Sequence, residues 1–311
     1  MLKTKTAGEG RYHIMKILSF GSMNIDYFYK LDHIVAPGET ISAQELTVLC
    51  GGKGLNQSIA LRKAGASVWH AGMIGTDGGI LKKCLDDAGV RTELIKVDPE
   101  HKSGHTIIQV EASTGQNSII YSAGTNGLID RQYIEDVVSH FEAGDYAVFQ
   151  NEISNTDYAM KKCKEKGMKV IFNPSPMTAQ LARSDIFRYV DDLFINEIEG
   201  AQMTGTEDPE EILKVMNMKW PECRTILTLG SEGAMIMSDE EFIRQKAFPC
   251  KAVDTTGAGD TFSGFFTSLS ADGKDVREAL ELSCKASSLA VRKKGAAASI
   301  PELAEVLAAD F

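Results

Sequence analysis

Short apolar runs recur along the chain, separated by longer stretches in which apolar residues return at helical spacing. The runs are KILSFG (Lys16–Gly21), SVWHAG (67–72), YAVFQ (Tyr146–Gln150), KVIFN (Lys169–Asn173), DLFIN (Asp192–Asn196) and TILTLG (Thr225–Gly230). Each is too short for a buried helix and carries the apolar residues of a covered strand. One helical pattern runs from Asn56 to Ala64 and stops at Gly65; another ends at Gly89. Strand and helix in alternation predict an α/β fold: a central, mostly parallel sheet with helices on both faces, Rossmann-like in architecture.

Two segments break the rhythm. From about Ile25 to Cys50 there is no convincing helix, and Thr106–Tyr121 alternates around ASTGQN as a hairpin does. Together they predict a small β-sheet lid, from segments of about 25–50 and 104–123, inserted in one main domain over 15–311. The polar stretch MLKTKTAGEGRYHI, residues 1–14, reads as an extension outside that domain.

Composition narrows the partners. The 311 residues carry a formal charge of −10, which argues against a nucleic-acid surface. No apolar run approaches the length of a membrane span. Cys50, Cys84, Cys163, Cys223, Cys250 and Cys284 are scattered, without a C-x-x-C pair. Scattered thiols suggest a reducing, cytoplasmic setting rather than a disulfide or zinc framework.

Two glycine clusters stand out. GGKGLNQS (51–58) is not a phosphate-binding G-x-x-x-x-G-K-[ST] loop, because Gly54 follows Lys53. Nor does GAGDTFSG match G-x-G-x-x-G, since Phe262 takes the third glycine's place. In DTTGAGDTFSGFF, Gly257 and Gly259 precede an apolar segment, so bare N–H groups at a helix N-terminus could meet an anion there. Asp260 then reads either as a helix N-cap or as an acid/base. In GSMNID, Asn24 and Asp26 share a face if the chain is extended. Glu152 follows a strand's carboxyl end, where open α/β sheets bind ligands. Asn196 and Glu199 are one turn apart, which is also an N-x-x-E capping pattern. TLGSEG (Thr228–Gly233) could be an ordinary turn.

In order and company these motifs resemble the ribokinase-like sugar kinases of the phosphofructokinase-B family, from Met15 to about Pro301. GGKGLNQSIALRKAGA matches the family's N-terminal signature and DTTGAGDTFSGFF its C-terminal one; PGET, GQNSII, NPSP, NEIEGAQMTG and RKKGAAASIP add to the likeness. The resemblance implies transfer of the ATP γ-phosphoryl group to a sugar hydroxyl, with ribose the expected acceptor. A nucleoside, deoxyribose or ketose kinase is the alternative, and a non-catalytic sensing module a remoter one. It implies that Asn24, Asp26, Gly52, Lys53, Gly54, Asn56 and Glu152 hold the sugar, that Gly257, Ala258 and Gly259 form an anion hole, and that Asp260 is the base. Thr228, Gly230, Ser231, Gly233, Gly259, Asn196 and Cys284 would line ATP. Asn196 and Glu199 would organise Mg2+ through water. Asp254, Thr256, Ala290, Lys293, Gly295 and Ser299 would hold K+. It further implies a homodimer clasped through the lid. Cys284 stands where the family commonly has His or Asn, and Gln116 where an acid is frequent.

Overall fold

The computed structural model describes residues 15–238 and 241–311, so the expected extension over 1–14 lies outside the described residues. In chain order the elements are β1 (Ile17–Phe20), β2 (Asn24–Leu31), β3 (Glu45–Gly51), α1 (Lys53–Lys63), β4 (Val68–Gly75), α2 (Gly79–Asp87), β5 (Arg91–Asp98), β6 (Gly104–Glu111) and β7 (Asn117–Ser122). There follow α3 (Arg131–Ser139), β8 (Tyr146–Gln150), α4 (Thr156–Glu165), β9 (Lys169–Asn173), β10 (Asp192–Asn196), α5 (Glu197–Thr204) and α6 (Pro209–Lys219). The chain closes with β11 (Arg224–Thr228), β12 (Ala234–Ser238), β13 (Glu241–Gln245), α7 (Ala258–Ala271), α8 (Val276–Ala290) and α9 (Leu303–Ala308).

Among the described residues these strands form a nine-stranded sheet, ordered β13-β12-β11-β10-β9-β8-β1-β4-β5, and a four-stranded one, β3-β2-β6-β7. The large sheet is parallel from β11 to β5, with β12 and β13 antiparallel at one edge. The α/β sheet with covering helices is therefore the expected architecture. Three details differ from the sequence reading. α1 begins at Lys53 rather than Asn56, because Gly52–Gly54 lead directly into the first turn. Strands β5, β12 and β13 were not expected: β5 and β13 carry no strong apolar run, whereas the run Ala234–Met237 of β12 was passed over. The small sheet is mixed, since β2 pairs β6 in parallel while β3 and β7 are antiparallel to their neighbours.

Strand alternation sorts the core onto two faces. Ile17, Val148, Ile171 and Phe194 pack with α1, α7 and α8, while Leu18, Phe149, Phe172 and Leu193 pack with α3, α4 and α6. A covered sheet must be apolar on both faces, which is why these strands read as continuous apolar runs. From β1 the chain winds outward to β4 and β5, then returns to β8 on β1's other side. That reversal makes a topological switch point, and the crevice beyond the strand carboxyl ends there is where such sheets take ligands.

Candidate functional site

The crevice is built by four chain segments: Gly21–Asn24 after β1, Gly52–Asn56 at the start of α1, Gln150–Glu152 at the end of β8, and the first turn of α7. Their closeness has a steric signature. A Cβ on Gly54 would lie 2.5 Å from the carbonyl carbon of Gly21, so only glycine lets α1 begin against the end of β1.

Helix α7 opens at Gly257, whose φ of 76° is left-handed, and no side chain caps it. Gly259 is exposed, and a Cβ there would meet nothing within 4 Å. The uncapped turn therefore faces open space, the environment an anion needs at a helix N-terminus. Asp260 lies inside this helix, 8 % exposed, so of its two sequence readings the N-cap is overturned. The cap position belongs to Gly257, and the carboxylate points away from the helix's own N–H groups. Its Oδ2 accepts from Asn56 Nδ2 and its Oδ1 from Gln57 Nε2, each at 3.0 Å.

Lys53 sits in the same charge field. Burial works against its ammonium, but Asp260, Glu152 and Glu199 outweigh that and hold its pKa above the ordinary lysine value. Glu152 accepts from the Lys53 main-chain N–H at 3.1 Å and from the hydroxyl of Ser22. On β2, Asp26 accepts from Thr106 Oγ1 at 2.5 Å. Burial pushes the Asp26 carboxyl above its usual value, the Thr106 hydrogen bond opposes this, and the negative charge of Glu152 adds to the rise. Asn24 is buried, and its Oδ1 accepts from Asn126 Nδ2 at 2.8 Å. The structure thus gathers Asn24, Asp26, Gly52, Lys53, Gly54, Asn56, Glu152 and Asp260 around one crevice. Such a lining of carboxylates, amides and one ammonium can take a polyhydroxylated ligand and remove a proton from it.

The Asn196–Glu199 pair forms the capping box that its spacing allowed: Glu199 N–H donates to Asn196 Oδ1 at 2.8 Å and Asn196 N–H to Glu199 Oε2 at 3.0 Å. Burial raises the Glu199 pKa, against the hydrogen bonds from Asn196 and Ser175 and the charge of Lys53. With its oxygens already engaged, Glu199 fits a water-mediated role toward a magnesium ion better than direct ligation. Thr228 is the register partner of Asn196. Gly230, Ser231 and Gly233 form the tight turn between β11 and β12, with Gly230 and Ser231 exposed. Cys284, on α8, is 4 % exposed within the core, where burial pushes its thiol up to about 12.

Asp254 ties two loops together. Its Oδ1 accepts from Thr256 N–H at 3.0 Å and Oγ1 at 2.7 Å, and its Oδ2 from Gly295 N–H at 2.9 Å. Partial burial opposes its charge, but those donors hold its carboxyl below the usual range. Ser299 is buried and donates to the Ala296 carbonyl at 2.9 Å, and the Ala290 carbonyl accepts from Lys293 N–H at 3.0 Å. The Asp254 carboxylate and the neighbouring hydroxyls and carbonyls are hard oxygen donors, the kind a monovalent cation takes. Among the described residues no three His, Cys, Asp or Glu side chains converge as a transition-metal site would require.

Several site residues escaped the sequence reading: Ser22 on Glu152, Thr106 on Asp26, Asn126 behind Asn24, Ser175 on Glu199, and Gln150 and Asn173 behind Gln57. The polar endings of YAVFQ and KVIFN were a usable signal, since an apolar run closing on an amide marks a strand end that meets something polar.

The model of the pfkB family of carbohydrate kinases matches residues 15–303. The ribokinase of Haemophilus influenzae is 32 % identical over 296 residues, covering 92 % of this chain and 95 % of its own. Among solved structures, the ribokinase of Cryptococcus neoformans in complex with ADP superposes with a TM-score of 0.83 at 31 % identity, covering 94 % of this chain and 99 % of the other. The ribokinase of Arabidopsis thaliana, complexed with ribose and ATP, gives 0.82 at 30 % identity, covering 94 % and 97 %.

Proposed function

The chain belongs to the pfkB family of carbohydrate kinases, and from that premise we propose that it transfers the γ-phosphoryl group of ATP to the primary hydroxyl of ribose, forming ribose 5-phosphate. The observation that carries this reading is the placement of Asp260 and the uncapped first turn of α7 at one crevice: a fixed carboxylate beside a bare helix N-terminus.

Asn24, Asp26, Lys53, Asn56 and Glu152 would bind and orient the sugar, and β2, β3, β6 and β7 would close over it as a lid. Asp260 takes the proton as the sugar oxygen attacks phosphorus and the bond to ADP breaks. The N–H groups of the Gly257–Gly259 turn stabilise the charge that builds on the migrating phosphoryl group. Thr228, Gly230, Ser231, Gly233 and Cys284 would border the nucleotide. A magnesium ion, which neutralises phosphate charge in such transfers, would be organised by Asn196 and Glu199 through water. A potassium ion at Asp254, Thr256, Ala290, Lys293, Gly295 and Ser299 would hold the loop that precedes α7.

The lid also favours a homodimer. Tyr27, Val48 and Ile120 lie on one face of the small sheet, and Phe28, Leu49 and Tyr121 on the other, which also carries Asp26. Val48 and Ile120 are 39 % and 56 % exposed. The face with Asp26 would cover the crevice, and a second copy would cover the other. Among the described residues no helix is long and apolar enough to cross a membrane, and the six cysteines are free thiols, which suits the reducing cytoplasm in which we place the enzyme.

ADP release with ATP, Mg2+ and a panel of pentoses, hexoses and nucleosides tests the reading. Ribose should give the highest kcat/KM; preference for a nucleoside or a ketose would overturn the acceptor assignment.

A further inference from the structure

Behind Asp260 runs a chain of side-chain amides, buried at Gln57 and Gln150 and half-buried at Asn173, whose orientation is set by donor–acceptor logic. Gln150 and Asn173 are register partners at the carboxyl ends of β8 and β9. Asn173 Nδ2 donates to the main-chain carbonyl of Phe194 at 2.9 Å, so Asn173 turns its Oδ1 the other way. Gln57 Nε2 donates to that Oδ1 at 3.4 Å and to Asp260 Oδ1 at 3.0 Å. Gln57 Oε1 accepts from Gln150 Nε2 at 2.7 Å. Gln57 and Gln150 are each 1 % exposed. Turning the Gln57 amide over would set its oxygen against two acceptors and its nitrogen against a donor.

We propose that Gln57 is a positioning residue for phosphoryl transfer: locked by Gln150 and Asn173, it holds Asp260 so that the proton-accepting lone pairs of the carboxylate face the sugar. The proposal rests on the reading of Asp260 as the base. Gln57 on Oδ1 and Asn56 on Oδ2 present N–H groups that only donate, so an arriving proton cannot settle on the lone pairs they occupy. The sugar O–H bond breaks, its proton goes to an open lone pair of Asp260, the oxygen bonds to phosphorus, and the electron pair of the broken P–O bond leaves on ADP. None of the three anchoring groups needs to touch substrate.

The test is Gln57→Leu, similar in volume but without a donor, made in the wild-type and in the Asp260→Asn background. Because Gln57→Leu strands the Gln150 amide, Gln57→Leu/Gln150→Leu, which replaces both partners by apolar groups, guards against simple misfolding. Both variants should lower kcat about tenfold or more while leaving the calorimetric Kd for ribose within about twofold of wild type. In the Asp260→Asn background, Gln57→Leu should lower kcat no further, since the group it positions is gone. An unchanged kcat, an equal loss in both backgrounds, or a loss seen only in ribose Kd overturns the proposal; the last two would mark Gln57 as structural or as a sugar ligand. If Asp260→Asn alone keeps wild-type turnover, the base assignment itself fails, a result separate from any effect of Gln57.

Discussion

Asp260→Asn bears on both halves of the active-site argument. Had Asp260 been a helix cap, asparagine would replace it with little loss of stability. Its actual surroundings predict a small loss too, for a different reason. The carboxylate accepts two amide donors, from Asn56 and Gln57, at 3.0 Å each. An asparagine can keep its oxygen on Gln57 Nε2 and turn its NH2 group to Asn56, whose Oδ1 has no other partner and faces it once that amide turns over. What is lost is a negative charge in the first turn of α7, about 0.3–1 kcal/mol. That corresponds to a fall in Tm of roughly 1 °C for a chain this long. The protein still folds, so turnover can be measured well below the transition. Removal of the base should lower kcat by roughly 10²–10⁴-fold, with ribose Kd little changed. The assays are ADP release coupled to NADH oxidation, calorimetric titration with ribose, and a thermal melt. Turnover within tenfold of wild type would refute the base assignment, and a fall in Tm of many degrees would refute the amide reorientation on which the stability figure rests.

Other perturbations probe the rest of the site. Asp26→Asn should raise KM for ribose by the equivalent of about 2 kcal/mol while leaving KM for ATP near wild type, as measured by initial rates. The same change should stabilise the apo protein. A raised carboxyl pKa means that the folded state binds the proton more tightly than the unfolded chain, so stability is lost as pH rises from the ordinary value of 3.8 through the folded one. Melts at pH 7 and pH 4 should therefore show the variant gaining Tm chiefly at pH 7. Turnover in potassium should exceed that in sodium at equal ionic strength; equal rates would remove the cation from the Asp254 loop. Ile120→Glu, on the face of the small sheet opposite Asp26, should shift sedimentation from dimer to monomer, and an unchanged profile would place the contact elsewhere.

How much of this could be read along the chain varied with the range of the interaction. The strands beginning KILSFG, YAVFQ, KVIFN and DLFIN lie within a residue or two of their expected places, because burial on both faces leaves a local apolar signature. The helix stops before Gly65 and Gly89, and the Asn196–Glu199 capping pattern, are local too, and all are present. β5 and β13 were missed because these edge strands are half-solvated and carry no continuous apolar run; β12 was missed although its apolar run Ala234–Met237 was there to be read. The parallel pairing of β2 with β6 was illegible for another reason: it joins segments separated by β3, α1, β4, α2 and β5, and nothing in either strand names its partner.

The sequence by itself determined the alternation of elements, the glycine turns at Gly52–Gly54 and Gly257–Gly259, and the family to which their spacing belongs. The tertiary structure decided what Asp260 is bonded to. Its partners, Asn56 and Gln57, lie 204 and 203 residues away along the chain. They meet it because α1 and α7 cover the same face of the sheet beside the β1–β8 switch point. Local pattern encodes which residues form a helix and which face is apolar. It does not encode the strand order that sets two such helices side by side, so a carboxylate that could have been a cap became the end of an amide chain reaching from β9.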